Sequence, residues 1–284
     1  MRLLVTGSRG QLGRALQRAA AGRGHGFAGV DLPELDITDS AAVGGVVAAT
    51  HPDAIVNCAA LTAVDTAERQ EAAARAVNGT AVSNVARSAD EAGAILVQLS
   101  TDYIFDGKAD RPYREEDTPN PLSAYGRTKL AGERAAELAP RHLIVRTAWL
   151  FGEGTNFVAA IRRQLDAGAK TLQVVSDQRG CPTYAQDLAD ALLRLLEIGT
   201  TGVVHAVNSG SATWFEFARE IVSQLGVNAE VVPIATGEAA RQAPRPANSV
   251  LDTSKLKAIL GADLPPWQDA LKRYLAGQGV GAKA

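Results

Sequence analysis

The sequence predicts an α/β fold: a doubly wound parallel sheet with a smaller C-terminal lobe. Three observations carry that prediction. Short apolar runs are each followed by a longer, alanine-rich stretch with helical spacing. Within the runs apolar residues do not alternate with polar ones, which marks strands buried on both faces, as in a parallel sheet. A glycine-rich segment joins the first run to the first helical stretch, where open α/β sheets turn from strand to helix.

The elements follow in order. Leu3-Leu4-Val5 is the first strand and Gln11 to Ala21 the first helix. Ala54-Ile55-Val56 leads into a helix over Val64 to Ala76, and Ile95-Leu96-Val97 into a long loop and a helix from Ser123 to Leu138. Leu143-Ile144-Val145 closes the regular series. Beyond Trp149 the pattern loosens. Helices are expected at Phe157 to Leu165 and Ala185 to Glu197, and Gly202 to Val207 reads as one more strand. Pro244-Arg245-Pro246 and Pro265-Pro266 interrupt helices, so a loop-rich lobe is expected there. The Gly- and Ala-rich tail after Leu275 is expected to fray.

Composition removes whole classes of function. The 284 residues are 46% hydrophobic and 21% charged, the balance of a globular protein. A formal charge of -2 gives no basic field to draw in nucleic acid or an anionic membrane. No apolar run is long enough to span a bilayer, and Met1 to Gly7 is too short for the core of a secretion signal, so a cytoplasmic location is expected. Cys58 and Cys181 are too few for a disulfide framework and read as small buried residues. His25, His51, His142 and His205 are scattered, so no metal site is expected.

Thr6-Gly7-Ser8-Arg9-Gly10-Gln11-Leu12-Gly13 holds the pattern G-x-x-G-x-x-G between strand and helix. Glycines there permit a tight turn and let backbone N–H groups approach a diphosphate, and the helix N-terminus supplies the positive end of a dipole. A Rossmann-type dinucleotide site follows from that context. Asp31, after the next apolar segment, suits a ribose hydroxyl; Arg9 suits a 2′-phosphate. The cofactor is therefore NADPH or NADH, with the two cues opposed.

Tyr125-Gly126-Arg127-Thr128-Lys129 sets Tyr125 and Lys129 one helical turn apart on one face. A free tyrosine titrates near pH 10, and a neighbouring ammonium is expected to lower that value and make the hydroxyl a usable acid. Ser100-Thr101-Asp102 follows the strand Ile95 to Leu99, at the sheet edge where such folds bind ligands. Thr62-x-x-Asp65 forms a helix capping box in its own right. Trp149, at a strand end, suits a pocket wall, and Arg179 and Arg245 suit diphosphate oxygens.

The glycine loop, the Ser/Thr after a later strand and Y-x-x-x-K together resemble the extended short-chain dehydrogenase/reductase family. Five stretches, Asn57 to Asp65, Ser100 to Gly107, Tyr125 to Glu133, Asp177 to Thr183 and Arg245 to Ser249, are similar to the dTDP-4-dehydrorhamnose reductases. That resemblance implies Tyr125 as proton donor, Lys129 as its modulator and ribose clamp, Thr101 as carbonyl orienter, and Asn78 as support for a proton relay. It implies cofactor contacts at Gly7, Gly10, Gln11, Leu12, Gly13, Asp31, Asp36, Ile37, Ala59, Ala60 and Thr62, besides Tyr125 and Lys129. Sugar-nucleotide contacts are implied at Val64, Asp65, Thr101, Asp102, Tyr103, Tyr125 and Trp149.

The implied reaction is reduction of the C4 keto group of dTDP-4-dehydro-L-rhamnose to dTDP-L-rhamnose, in rhamnose precursor biosynthesis. Residues 1–150 would form the dinucleotide-binding domain and 151–284 the substrate-binding lobe, with part of 185–210 returning to the first sheet. Some family members carry a glutamate shortly after the third loop glycine that helps bind magnesium at a dimer interface. This chain has Arg14-Ala15 there, and Gln186-Asp187 near a second such position, so no metal enters and a monomer or a homodimer is expected. Two other functions fit the fold: a sugar-nucleotide epimerase or dehydratase, and a non-catalytic regulatory subunit of methionine adenosyltransferase type.

Overall fold

The computed structural model describes residues 1–278. Its first half alternates strands β1 (Arg2–Thr6), β2 (Gly26–Val30), β3 (Ala54–Asn57), β4 (Ile95–Thr101) and β5 (His142–Thr147) with helices α1 (Gln11–Gly22), α2 (Ser40–Thr50), α3 (Val64–Arg69), α4 (Glu71–Arg75), α5 (Ala81–Glu91) and α6 (Ala124–Ala136). The second half adds strands β6 (Leu150–Phe151), β7 (Thr171–Val175), β8 (Arg179–Gly180), β9 (Thr183–Tyr184), β10 (Gly202–His205), β11 (Ala212–Thr213) and β12 (Glu230–Ile234). Its helices are α7 (Phe157–Asp166), α8 (Ala185–Ile198), α9 (Trp214–Leu225), α10 (Ser254–Leu260) and α11 (Trp267–Gly277).

Six strands form one parallel sheet in the order β10-β5-β4-β3-β1-β2. Each apolar run is buried on both faces, as its lack of alternation requires. Leu3, Val5, Val56, Val97 and Val145 pack under the layer of α1, α8 and α10. Leu4, Ile55, Leu96 and Ile144 pack on the opposite face, under α2, α5 and α6. The sheet is thus doubly wound. From β1 the chain passes to β2 on one side and returns to β3 on the other, which puts the topological switch point between β1 and β3. β10 comes from the second half and pairs with β5 in parallel.

A separate core, including Phe151, Phe217, Trp267, Leu271 and Tyr274, joins α7, α9 and α11 to the β7–β12 pair. This lobe is more regular than its prolines suggest. Pro265-Pro266 does not break a helix but precedes one: α11 starts at Trp267, the place where proline is tolerated. That helix runs to Gly277, so the chain does not fray directly after Leu275, and the rest of that tail lies outside the described residues from 279 onward.

The helix expected over Val64 to Ala76 is also different. It breaks at Gln70, where φ is −132°, and continues through α4 into a π-helical turn over Ala76–Thr80 and then α5. Buried Asn78 sits in that turn and bonds to other backbone, which competes with a regular ladder. Among the described residues, no helix is long and apolar enough to cross a membrane.

Candidate active site

The glycine turn lies at the switch point. Gly7 has φ 61°, and a Cβ there would stand 2.7 Å from the Ala59 nitrogen, so only glycine lets β1 and the end of β3 close up. At Gly13 a Cβ would meet Ser8 Cα at 2.5 Å, which keeps α1 tight against the turn. A Cβ on Gly10, by contrast, would meet only the Gly7 carbonyl oxygen, at 3.2 Å, and otherwise open space. α1 starts beside it with no side-chain cap, and buried Gln11 Oε1 has no hydrogen-bond partner among the described residues. A bare helix N-terminus and open backbone, whose free N–H groups are donors, fit the diphosphate of a dinucleotide.

Asp31 accepts from the backbone N–H groups of Arg9 at 2.9 Å and Leu32 at 2.8 Å. The Arg9 guanidinium donates to the Leu32 carbonyl at 2.8 Å and pairs with Glu34. Asp36 accepts from the Thr38 N–H and hydroxyl, which hold its carboxyl below the usual range.

Beneath the cleft runs a buried polar chain that the sequence reading missed. The Thr6 hydroxyl donates to Asn57 Oδ1 at 2.6 Å, Asn57 Nδ2 to Gln98 Oε1 at 2.7 Å, and Gln98 Nε2 to the Leu99 carbonyl at 2.9 Å. That same carbonyl accepts from Lys129 Nζ at 2.6 Å. The chain crosses β1, β3 and β4 and ends on the lysine.

α6 delivers Tyr125 and Lys129. Ser123 caps it through the Gly126 N–H at 3.2 Å. Glu133, one turn beyond Lys129, pairs with Arg146 of β5 at 3.0 and 2.9 Å, both side chains only 5% exposed. Burial pushes Lys129 down to about 8, with the Glu133 charge pulling it back upward. Burial also lifts the Tyr125 phenol well above its ordinary value, and the Thr101 hydroxyl offsets this only partly. The lowering expected from Lys129 is not seen: burial raises the phenol, and the ammonium is committed to the Leu99 carbonyl.

Thr101 ends β4 and donates to Asp102 Oδ1 at 3.0 Å. Asp102 is 1% exposed, its Oδ2 has no partner among the described residues, and burial pushes its carboxyl up to about 6. Ser100 Oγ is likewise buried without a partner. Tyr103 meets the Tyr125 ring edge-on at 5.7 Å, and burial pushes its phenol up to about 12.

One cleft of about 900 Å³ gathers nearly all of the expected residues. It is lined by Gly7, Gly10, Gln11, Leu12, Gly13, Asp31, Asp36, Ile37, Ala59, Ala60 and Thr62, and by Val64, Thr101, Asp102, Tyr103, Tyr125, Lys129 and Trp149. Two residues stand elsewhere. Asn78 accepts from the Leu61 N–H at 2.7 Å and donates to the Leu61 carbonyl and to Thr128, so its amide ties the Ala59–Leu61 loop to α6 instead of facing the cleft. Asp65 accepts from the Gln242 and Ala243 N–H groups at 3.1 and 2.9 Å and from Arg245 Nη2 at 2.9 Å, which lower its carboxyl to about 2. It anchors a strap of the C-terminal lobe.

The expected Thr62 cap is also absent, since α3 begins after Ala63 with no side-chain cap. Arg179 pairs with Glu216 and Arg245 with Asp65, so neither guanidinium is turned to the cleft. Arg14 and Arg18 share Glu153 at 2.7 and 3.0 Å, and no group of three possible metal ligands occurs among the described residues. Burial pushes both cysteine thiols up to about 12, away from the thiolate form. Trp214 lines the cleft too. It was missed, although Thr213-x-x-Glu216, a capping box, marks the helix that presents it.

A doubly wound sheet with a glycine turn at its switch point, and a buried Tyr-x-x-x-Lys helix beside it, defines an oxidoreductase of the extended short-chain type. Comparison with known proteins narrows the class. The chain belongs to the family described as RmlD substrate binding domain, whose profile matches residues 1–279. A dTDP-4-dehydrorhamnose reductase of Streptomyces griseus is 47% identical over 279 residues, 95% of this chain and 91% of that one. A probable dTDP-4,6-dihydroxy-2-methyloxan-3-one 4-ketoreductase of Streptomyces antibioticus is 44% identical over 96% of this chain and 94% of its own. The crystal structure of the Bacillus anthracis dTDP-4-dehydrorhamnose reductase in complex with NADP superimposes with a TM-score of 0.93, at 36% identity, over 97% of this chain and 99% of that one.

Proposed function

We propose that this chain reduces the C4 keto group of dTDP-4-dehydro-L-rhamnose to give dTDP-L-rhamnose, with NADPH or NADH. The observation that carries the reading is the meeting of Thr101, Tyr125 and Lys129 in the cleft that begins at the glycine turn. The turn and the start of α1 would hold the diphosphate, Asp31 a ribose, Asp36 and Ile37 the adenine end, and Ala59 and Ala60, too small to obstruct, the nicotinamide end. A bound reduced nicotinamide supplies hydride to the carbonyl carbon.

The chain's own groups handle the oxygen. Tyr125, protonated at neutral pH, donates its proton to the oxygen as negative charge develops there. Lys129 holds its charge below about pH 8 and favours that negative oxygen. Thr101 orients the carbonyl, Asp102 offers Oδ2 to a sugar hydroxyl, and Trp149 walls the sugar-nucleotide end. Asn78 and Asp65 serve as braces of the loop and the strap. Residues 1–150 act as the dinucleotide domain, completed by α8, β10 and α10 from the second half, and the remainder of 151–278 as the substrate lobe, in a cytoplasmic monomer or homodimer. The Streptomyces antibioticus relative makes a second 4-keto deoxysugar nucleotide a reasonable alternative substrate.

The test is oxidation of NADPH and of NADH with enzymatically prepared dTDP-4-dehydro-L-rhamnose, beside other 4-keto sugar nucleotides. Tyr125→Phe should lower kcat by about 10²- to 10⁴-fold and leave cofactor affinity within twofold. Absence of net cofactor oxidation by the wild type rejects the reading.

A further inference from the structure

Trp149 is gripped on both faces. Trp214, the first residue of α9, lies over one face of its indole with ring centroids 3.5 Å apart and planes 4° from parallel. Gly180 lies against the other, where a Cβ would stand 2.5 Å from Cε2 and 2.6 Å from Nε1. Between them Trp149 takes φ 44°, a left-handed conformation that a bulky residue keeps only where its surroundings over-determine it.

The two jaws belong to one stiff corner of the C-terminal lobe. Gly180 in β8 pairs with Ala212 of β11, and Arg179 with Thr213. Thr213 caps α9 through the capping box with Glu216, and Arg179 pairs with the same glutamate at 3.1 Å. The Phe157 ring backs Trp214 at 4.6 Å, tilted by 56°. This corner therefore seizes a residue that the end of β5 delivers to the cleft, and both indoles line that cleft.

We propose that Trp214 is a positioning residue for the sugar-nucleotide end of the site: with Gly180 it holds Trp149 in its left-handed conformation, edge-on to the cleft. The inference rests on the reductase reading above. Its specific content is that two residues on opposite faces of one indole govern recognition of the sugar nucleotide and not of the dinucleotide.

The experiment compares the wild type with Trp214→Ala, Trp214→Phe and Gly180→Ala. Measured are KM and kcat with the 4-keto sugar nucleotide, the NADPH dissociation constant, and the circular-dichroism exciton couplet that two stacked indoles produce. Trp214→Ala and Gly180→Ala should each raise KM roughly three- to tenfold, the factor a lost aromatic stack is worth, with NADPH affinity unchanged. The couplet should vanish in Trp214→Ala and also in Gly180→Ala, where both tryptophans are present but the methyl group displaces one. Trp214→Phe, which keeps a flat ring, should restore most of KM.

An unchanged KM in Trp214→Ala, or a couplet that survives Gly180→Ala, overturns the proposal. So does a parallel loss of NADPH affinity and melting temperature without rescue by phenylalanine, the mark of a merely structural residue. A wild type that does not turn over the sugar nucleotide defeats the reductase reading itself, and this inference with it.

Discussion

Replacing Asp102 with asparagine should stabilise the protein, and by an amount that depends on pH. The carboxyl is 1% exposed and its Oδ2 has no partner among the described residues. Burial raises it from 3.8 to about 6. Two units at 1.36 kcal/mol each make the ionised form about 3 kcal/mol less favourable in the folded chain than in the unfolded one. The sign follows from the raised value: the folded state holds the proton more tightly, so this contribution is fully present below about pH 4 and is lost as pH rises through about 6. Asparagine keeps the acceptor for Thr101 and has no charge to bury. At pH 8 Asp102→Asn should therefore melt about 5 °C or more above the wild type, and at pH 4.5, where the unfolded carboxyl is already largely ionised, the gain should fall to about a third of that. KM for the sugar nucleotide should rise, because Asp102 lines the cleft. Scanning calorimetry at the two pH values decides it. A gain equal at both, or a loss at pH 8, would refute the reasoning that desolvation governs this carboxyl.

Other outcomes follow from the same geometry. Lys129, pushed down to about 8, should give kcat/KM a limb that falls above about pH 8, and Lys129→Arg should abolish that limb at whatever rate remains; a limb that persists in the variant assigns it to another group. Glu133→Gln leaves the Arg146 guanidinium buried without a counter-charge, so urea unfolding should show a loss of about 3–5 kcal/mol, and a loss under 1 kcal/mol would show that water reaches the pair. Glu34→Gln frees Arg9 for a 2′-phosphate and should raise the ratio of kcat/KM for NADPH over NADH by up to about fivefold, the most an exposed ion pair is worth; an unmoved ratio removes Arg9 from cofactor choice.

What could be read from the sequence was what acts over short range. Strands that are buried on both faces leave an unbroken apolar run, and a strand-to-helix turn that must close on a neighbouring strand leaves glycines; Leu3 to Gly13 shows both. Tyr125 and Lys129 were legible because one helical turn fixes their relation. Asp65 was not, because its partners stand at 242 to 245 and nothing local announces them. The bracing role of Asn78 was not legible, because nothing in the alanine-rich stretch before it announces the π turn that holds it. The direction of the Tyr125 shift escaped for a different reason: spacing shows that a charge is near, but only the folded surroundings show how much water has been lost.

The sixth strand has a consequence for how the chain is made. β5 is complete at Thr147, yet its outer neighbour β10 begins only at Gly202. During synthesis at about 5–20 residues/s the growing sheet therefore presents β5 as an open edge for several seconds. An unpaired apolar strand invites pairing with other nascent chains. Translation speed between these two strands, and any chaperone that covers the edge in that interval, should govern the soluble yield more strongly than changes of equal size in the first hundred residues.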